Sequence, residues 1–223
     1  MPERCWRIAL IDSGVNANGP VNPVDACRFS DTGLTVSATP VLADRLGHGS
    51  LMVQIISQCA AIELLNAQVF GASMSTTAAA VAAAIDWSVA QRADLLHLSL
   101  GLRENRAVLD GAVSKAIAAG CIVIASTPAR GEMSYPARYP GVIRATGDAR
   151  CSVEEISWLA SPQADFGACP RFGAQHGAGG ASVGAAYLTR FIVANLRPGF
   201  DTAHIRSELT KLARHRGPES RRE

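Results

Sequence analysis

Short apolar segments alternate with helical ones along the first half of this 223-residue chain. The apolar segments predict β-strands at 7–11, 62–70, 95–100 and 121–126. The segments between them predict a helix that begins near His48 and helices over 75–92 and 105–119. Strands joined by helices form repeated βαβ units, which give a parallel sheet with helices on both faces. The expected fold class is therefore α/β, a compact three-layer sandwich with a mostly parallel central sheet.

The rest of the chain is less regular. Loops are predicted over 15–45, because breaker sequences such as NANGP and NPVD occur there. Further strands are expected at 142–146 and around 156–160, followed by helices at 182–196 and 202–213. No linker divides the chain, so residues 1–213 are expected to form one domain. Residues 214–223, RHRGPESRRE, are expected to form a charged and frayed tail.

Composition excludes several classes of protein. Lys and Arg number 21 against 19 Asp and Glu, a balance that argues against a nucleic-acid partner. No apolar run reaches the roughly 20 residues that a membrane span needs. The apolar stretch near the N-terminus is short and is interrupted by Asp12, unlike a secretory signal. We therefore expect a cytoplasmic protein that acts without a membrane partner.

The six cysteines show no metal-binding spacing, and no cofactor or metal is predicted. In a reducing compartment they are expected to be free thiols. Cys59 and Cys121 lie in apolar segments, which favours a buried packing role for both.

Three short segments carry an acid, an imidazole and a hydroxyl in that order. Asp12 follows the first strand, His48 begins a helix, and Ser182 begins a later buried helix. In open α/β sheets, reactive side chains lie at the carboxyl ends of strands and on the loops beyond them. A histidine can remove the proton of a serine hydroxyl while a carboxylate orients the imidazole ring. The three residues are therefore candidates for nucleophilic catalysis.

The surrounding sequence resembles the subtilisin-like serine proteases, or subtilases. The order Asp, His, Ser is that of the subtilisins. The segments IALIDSGV, DRLGHGS and GASVGAAYL resemble the family's three catalytic motifs, with Ser50 in place of the usual Thr. LLHLSLG and SYPARYPGVIRATG resemble two further family segments in register between them. The resemblance extends from about residue 6 to residue 196 and implies a subtilisin-like fold.

The resemblance implies roles for particular residues. Asp12, His48 and Ser182 would form the catalytic triad, and the backbone N–H of Ser182 would bind the oxyanion. An extended peptide or small protein substrate would pair as a strand with Ser99, Leu100 and Gly101. Ser134 and the backbone of 124–127 would line the primary specificity pocket, and the bond between Tyr135 and Pro136 is expected to be cis.

The chain departs from the family at the oxyanion site. Subtilases carry an Asn after the central strand, and Ala129 stands in its place here. Loss of one oxyanion donor lowers turnover about 10²–10³-fold. Slow turnover is therefore expected unless another group substitutes. The nearby candidates are Ser126, Thr127 and Arg130, and the sequence does not choose among them.

Only 11 residues precede Asp12, which leads us to expect an intracellular protease without a propeptide or signal. Such an enzyme suits the processing of one dedicated partner, for example the removal of a leader peptide. Its type is similar to the small cytoplasmic subtilase that accompanies maturation of the small subunit of quinohemoprotein amine dehydrogenase. The alternative is a weakly active or inactive subtilase scaffold that binds a peptide, which the missing Asn favours.

Several other residues have more than one interpretation. Asp44 is close to His48 in sequence and is a rival to Asp12 as the acid of the triad. His97 lies in an apolar strand and is interpreted as a hydrogen-bonded core histidine. His176 is a candidate for a substrate or oxyanion contact. The glycine-rich run 177–180 is a weak candidate for a phosphate site, because it lacks the preceding strand of a dinucleotide fingerprint.

Overall fold

The structure is a computed structural model that describes residues 4–31, 36–173 and 180–219. Its strands are β1 (Trp6–Asp12), β2 (Asp25–Asp31), β3 (Val36–Thr39), β4 (Ile62–Gln68), β5 (Leu95–Leu98), β6 (Ile122–Ser126), β7 (Ile143–Gly147), β8 (Ile156–Trp158), β9 (Phe166–Ala168) and β10 (His215–Arg216). Its helices are α1 (His48–Ile56), α2 (Ala78–Ala90), α3 (Ala107–Ala118), α4 (Ala181–Asn195) and α5 (Thr202–Leu212).

All strands belong to a single sheet in the order β10-β8-β9-β7-β6-β5-β1-β4-β2-β3. Neighbouring strands are parallel except for β2 with β3 and β8 with β9. β1 is central and pairs with β4 on one side and β5 on the other. The prediction of a mostly parallel sheet is therefore confirmed, and the carboxyl ends of β1, β5 and β6 lie side by side at one edge.

Helices cover both faces of the sheet. Alternate residues of β1 point in opposite directions, so Ile8 and Leu10 pack with α1, α4 and α5 in one core cluster. Ala9 and Ile11 pack with α2 and α3 in the other cluster. Both clusters are built from residues that are almost completely buried. The three layers are those that the alternation of strands and helices predicts.

The elements that the sequence analysis missed are mostly short or lie near the margins of the sheet. The prediction of loops over 15–45 is wrong for β2 and β3, which form an antiparallel pair at one edge of the sheet. Their side chains are largely half-exposed, so the strands lack a strong apolar pattern. The three-residue strand β9 is too short for periodicity to reveal, although its residues are buried.

The prediction of a frayed tail from residue 214 is wrong for its first residues. β10 pairs in parallel with β8. The backbone N–H groups of Arg214 and Gly217 donate to the carbonyls of Ile156 and Trp158. Backbone pairing of this kind does not require an apolar sequence, which explains why the charged composition hid the strand.

The cysteine prediction holds for one residue and fails for another. Cys121 is buried, as expected, whereas Cys59 is exposed. The reason is that α1 ends at Ile56, so Cys59 falls in the turn that follows. All six cysteines are free thiols.

Candidate active site

Asp12 is the last residue of β1, and its side chain is completely buried. The residue lies between the carboxyl ends of β4 and β5, the two neighbours of β1 in the sheet. Its Oδ1 atom accepts a hydrogen bond of 2.6 Å from the backbone N–H of Ser13. The carboxylate is therefore fixed at the strand end where the sequence analysis placed a reactive acid.

His48 is the first residue of α1, and its ring contacts this carboxylate. The Nδ1 atom lies 2.8 Å from Oδ1 and 2.9 Å from Oδ2 of Asp12. We assign the Nδ1 proton to this contact, because a carboxylate only accepts hydrogen bonds. The Nε2 atom then keeps its lone pair and is able to act as a base. The predicted pairing of acid and base is present across 36 positions of sequence.

Asp44 has a different role from the one the rival interpretation gave it. Its carboxylate accepts hydrogen bonds from the backbone N–H groups of Gly47 and Ser50, at 2.8 and 3.0 Å. It also accepts one of 2.6 Å from the Ser50 hydroxyl. Asp44 thus caps the first turn of α1, where unpaired N–H groups favour a negative charge.

Both carboxylates influence the ionisation of His48. Burial by itself would lower the pKa of His48. The hydrogen bond to Asp12 and the negative charges of Asp12 and Asp44 outweigh burial, so that the pKa lies above its ordinary value. The doubly protonated ring that forms when His48 accepts a proton is therefore stabilised here.

Two glycines allow α1 to lie directly against the loop after β1. A Cβ atom on Gly49 would overlap the backbone carbonyl oxygen of Gly14. The backbone N–H of Gly49 also donates to the Ser13 hydroxyl at 2.9 Å. Only a residue without a side chain permits this approach, and the approach brings His48 to Asp12.

Ser182 is the second residue of α4 and follows Gly180, whose φ of 102° suits glycine. Its hydroxyl donates to the backbone carbonyl of Ser99, at 3.4 Å. The two residues are 83 positions apart in sequence. Among the hydrogen bonds of the described residues there is none between Ser182 and His48. The structure thus pairs acid with base, and places the hydroxyl on the candidate substrate edge.

A cavity of about 490 Å³ joins Ser182 to most of the predicted binding residues. Its lining includes Ser99, Leu100, Gly101, Ser126, Thr127, Ser134 and Ser182. Among the described residues of this lining, Arg103 is the one that carries a charge. Arg130, the third predicted oxyanion candidate, lines a separate cavity of about 280 Å³ together with Ala129 and Asp148. The structure therefore does not bring Arg130 into the cavity that Ser182 lines.

Residues 99–102, the segment after β5, are held in place by contacts with Ser134 and Tyr135. Leu102 and Tyr135 form an antiparallel bridge with two backbone hydrogen bonds of 2.8 Å. Ser134 packs so closely against Gly101 that a Cβ atom there would overlap the Ser134 side chain. The bond between Tyr135 and Pro136 is cis, as predicted. These contacts fix residues 99–102 as an ordered edge of the cavity.

The sequence of this chain is similar to that of one known protein family. The model of the subtilase family, Peptidase_S8, matches residues 6–164, which is more than half of the chain. This chain belongs to the subtilase family. The matched region contains Asp12 and His48 and ends before Ser182.

Two curated relatives show the extent of the similarity. The subtilase is 27% identical to Subtilisin Savinase of Lederbergia lenta over 145 residues, which are 60% of this chain and 52% of that protein. It is 29% identical to Minor extracellular protease Epr of Bacillus subtilis over 155 residues, which are 61% of this chain and 22% of that protein. The match therefore spans about half of the first relative's length and less of the second's.

Solved structures show the same fold. The subtilase matches S41 Psychrophilic Protease with a TM-score of 0.63 and 20% identity, over 92% of this chain and 82% of that chain. It matches Sphericase with a TM-score of 0.63 and 19% identity, over 92% of this chain and 83% of that chain. The predicted subtilisin-like three-layer fold is therefore confirmed.

A second histidine lies behind the candidate substrate edge of this subtilase. His97 is completely buried, and its Nε2 atom is 2.6 Å from the Ser99 hydroxyl. Its Nδ1 atom is 2.9 Å from the Thr189 hydroxyl on α4. Burial, assisted by the nearby charge of His48, lowers the pKa of His97 to about 3. The prediction of a hydrogen-bonded core histidine is confirmed. Its neutral ring links the candidate substrate edge to α4.

Three remaining sequence predictions concern other kinds of contact. His176 and residues 177–179 lie outside the described residues. Across residues 4–31, 36–173 and 180–219, no group of three or more His, Cys, Asp and Glu side chains is arranged to hold a metal ion. Within the same ranges, no helix is both long enough and apolar enough to cross a membrane.

Proposed function

We propose that this subtilase is a serine endopeptidase that uses Asp12, His48 and Ser182. The observation that carries the proposal is the hydrogen-bonded pair of Asp12 and His48 at the carboxyl end of the central strand. Family membership supports the same chemistry. Ser182 supports it by its position at the N-terminus of α4 and in the lining of the main cavity.

The proposed reaction has two stages. As the Ser182 oxygen bonds to the substrate carbonyl carbon, its proton moves to Nε2 of His48 and the carbonyl oxygen takes the displaced electron pair. When the C–N bond breaks, His48 gives this proton to the leaving amine, which leaves an ester on Ser182. A water molecule then attacks the ester, again losing a proton to His48. Ser182 recovers a proton from His48 as the acid product leaves.

The substrate is proposed to bind as an extended strand along Ser99, Leu100 and Gly101. These residues line the cavity beside Ser182, and the bridge between Leu102 and Tyr135 holds their other side. Backbone hydrogen bonds would give affinity and the side-chain pockets would give selectivity. Ser134 packs against Gly101 and lines the same cavity.

We further propose that the substrate is a leader segment of one partner peptide, which is cleaved in the cytoplasm during the partner's maturation. Ala129 supports this because the methyl group donates no hydrogen bond to an oxyanion, so turnover is expected to be slow. A slow protease suits a single dedicated cleavage better than general digestion. Incubation with candidate partner peptides, followed by mass spectrometry, tests it. One cleavage site in one partner is expected, whereas rapid cleavage of many unrelated peptides would contradict this role.

The catalytic proposal is tested by labelling with a fluorophosphonate and measuring intact mass. The wild-type protein is expected to gain a single adduct, and Ser182→Ala none. Ser114→Ala is a matched control, because Ser114 lies exposed on α3, away from the cavity lining. It is expected to label as the wild type does. The proposal would be refuted if the wild-type protein gained no adduct, either alone or with the candidate partner peptides.

A second candidate function is a peptide-binding scaffold without catalysis. The Ser182 hydroxyl favours this function, because it donates to the Ser99 carbonyl and a hydroxyl in catalysis would donate to His48. Isothermal titration with a partner peptide distinguishes the two functions. Equal affinity for wild type and Ser182→Ala, with no cleavage by wild type, would support the scaffold. Cleavage by wild type alone supports the protease.

A further inference from the structure

A peptidase of this design needs a second hydrogen-bond donor for the oxyanion. The backbone N–H of Ser182 supplies one donor at the N-terminus of α4, where the helix dipole also favours negative charge. Ala129 supplies none. The second donor must therefore be another group of the cavity beside Ser182.

Strand alternation separates the two hydroxyl groups at the end of β6. Ile122 and Ile124 pack in the core cluster that contains α4, whereas Val123 and Ala125 pack in the cluster that contains α2 and α3. Successive side chains of a strand point to opposite faces. Ser126, the last residue of β6, therefore shares its face with α4, the helix that begins beside Ser182.

The accessibility of the two hydroxyl groups also differs. Thr127 also lines the cavity but is only 1% exposed, and its buried hydroxyl oxygen has no hydrogen-bond partner among the described residues. Ser126 is 7% exposed and lines the cavity. Among the hydrogen bonds of the described residues none involves the Ser126 hydroxyl, so this group is free to donate one. Arg130 lies in a different cavity.

We propose that the Ser126 hydroxyl is the second oxyanion donor and replaces in part the amide that Ala129 lacks, so that turnover stays slower than with an Asn at position 129. It would donate one hydrogen bond to the substrate oxygen as negative charge develops there, with no transfer of its proton. The proposal rests on the proposed peptidase function. It assigns the Ser126 hydroxyl a role in catalysis, in addition to the packing of this residue at the end of β6.

The test compares the kinetics of three variants on one peptide substrate. Ser126→Ala is expected to lower kcat about 10²-fold with little change in KM, because the lost bond forms only in the transition state. Thr127→Val keeps the shape and removes the buried hydroxyl, and it is expected to lower kcat less than Ser126→Ala does. Arg130→Ala is expected to be neutral, because Arg130 lines a different cavity. An unchanged kcat in Ser126→Ala, or a larger loss in Thr127→Val, would overturn the assignment.

A rescue variant separates catalysis from folding. Adding Ala129→Asn to Ser126→Ala returns an amide to the family position and is expected to recover at least 10-fold of the lost kcat. The affinity of a peptide aldehyde should fall in Ser126→Ala by the same factor as kcat/KM, while affinity for the product peptide stays constant. If Ser126→Ala does not fold, Ser126→Cys, a weaker donor, is measured instead and should lower kcat.

The outcomes also separate this inference from the proposed function. Absence of both fluorophosphonate labelling and turnover in the wild type would refute the peptidase and the inference together. Normal labelling and turnover in the wild type, with kcat unchanged in Ser126→Ala, would refute only the role of Ser126.

Discussion

The Ser182 hydroxyl donates to the backbone carbonyl of Ser99, at 3.4 Å, on the edge where an extended substrate is proposed to pair. A substrate N–H that reached this carbonyl would compete with the hydroxyl for it. A serine hydroxyl has one proton to donate, so its release from Ser99 leaves it able to donate to His48. Substrate binding and activation of the nucleophile would then be coupled at one oxygen atom.

Methylation of the substrate tests this coupling. A peptide N-methylated at the residue that supplies the scissile carbonyl is expected to lose about 10-fold in kcat/KM, because it cannot pair with Ser99. Methylation one residue closer to the N-terminus is the control, since that N–H of an extended chain points away from the edge. Steady-state kinetics of both peptides give the answer, and equal losses would contradict the coupling.

The pH dependence of activity should follow His48. The ring must be neutral to accept the Ser182 proton, so kcat/KM is expected to rise with pH through a midpoint above the ordinary histidine value of about 6.5. Asp44→Asn removes one of the charges that raise the pKa of His48 and should shift the midpoint to lower pH. Activity profiles of both proteins check this, and a wild-type midpoint below 6.5 would contradict it.

The contact between Gly49 and Gly14 should be intolerant of a methyl group. Gly49→Ala is expected to destabilise the fold by about 1–3 kcal/mol through overlap with the Gly14 carbonyl, and to lower kcat by displacing His48. Gly111→Ala is the matched control, because nothing lies near that position in α3. It should stabilise the fold by about 0.5–1 kcal/mol. Chemical denaturation measures both, and equal effects would contradict the expectation.

Buried His97 should make stability fall in mild acid. Its pKa is lowered to about 3 by burial, whereas in the unfolded chain it takes up a proton below about 6.5. The unfolded state then binds one more proton, so the free energy of unfolding should fall by up to about 1.4 kcal/mol per pH unit as the pH drops. Denaturation between pH 6.5 and 4.5 should show a shallower slope in His97→Asn. Parallel slopes would contradict this.

Arg103 should favour an acidic residue in the substrate. It is the one charged residue in the part of the cavity lining that the structure describes, and it lies four positions along the edge from Ser99. A paired peptide would therefore place its side chain about four residues from the scissile bond beside Arg103. Glu at that position is expected to be preferred over Lys by a few fold, the strength of an exposed ion pair. Competition between the two peptides should show a preference that Arg103→Glu reverses.

Much of the fold followed from local pattern. Apolar segments that alternate with helical ones specify βαβ units, and the strand ends locate Asp12 and Ser99 at one edge of the sheet. The apolar pattern failed to predict strands whose pairing does not depend on buried side chains. β2, β3 and β10 are held by backbone hydrogen bonds at or near the edges of the sheet, where polar and charged residues are tolerated.

Residue types in a fixed order were enough to predict the family and the chemical groups that could form a triad. How these groups are used depends on their arrangement in three dimensions. In the folded protein His48 contacts Asp12, whereas Asp44 caps the first turn of α1. The tertiary structure placed Ser126 in the lining of the cavity and buried the hydroxyl of Thr127. These choices depend on the packing of distant segments, such as α1 on the loop after β1, which no local pattern specifies.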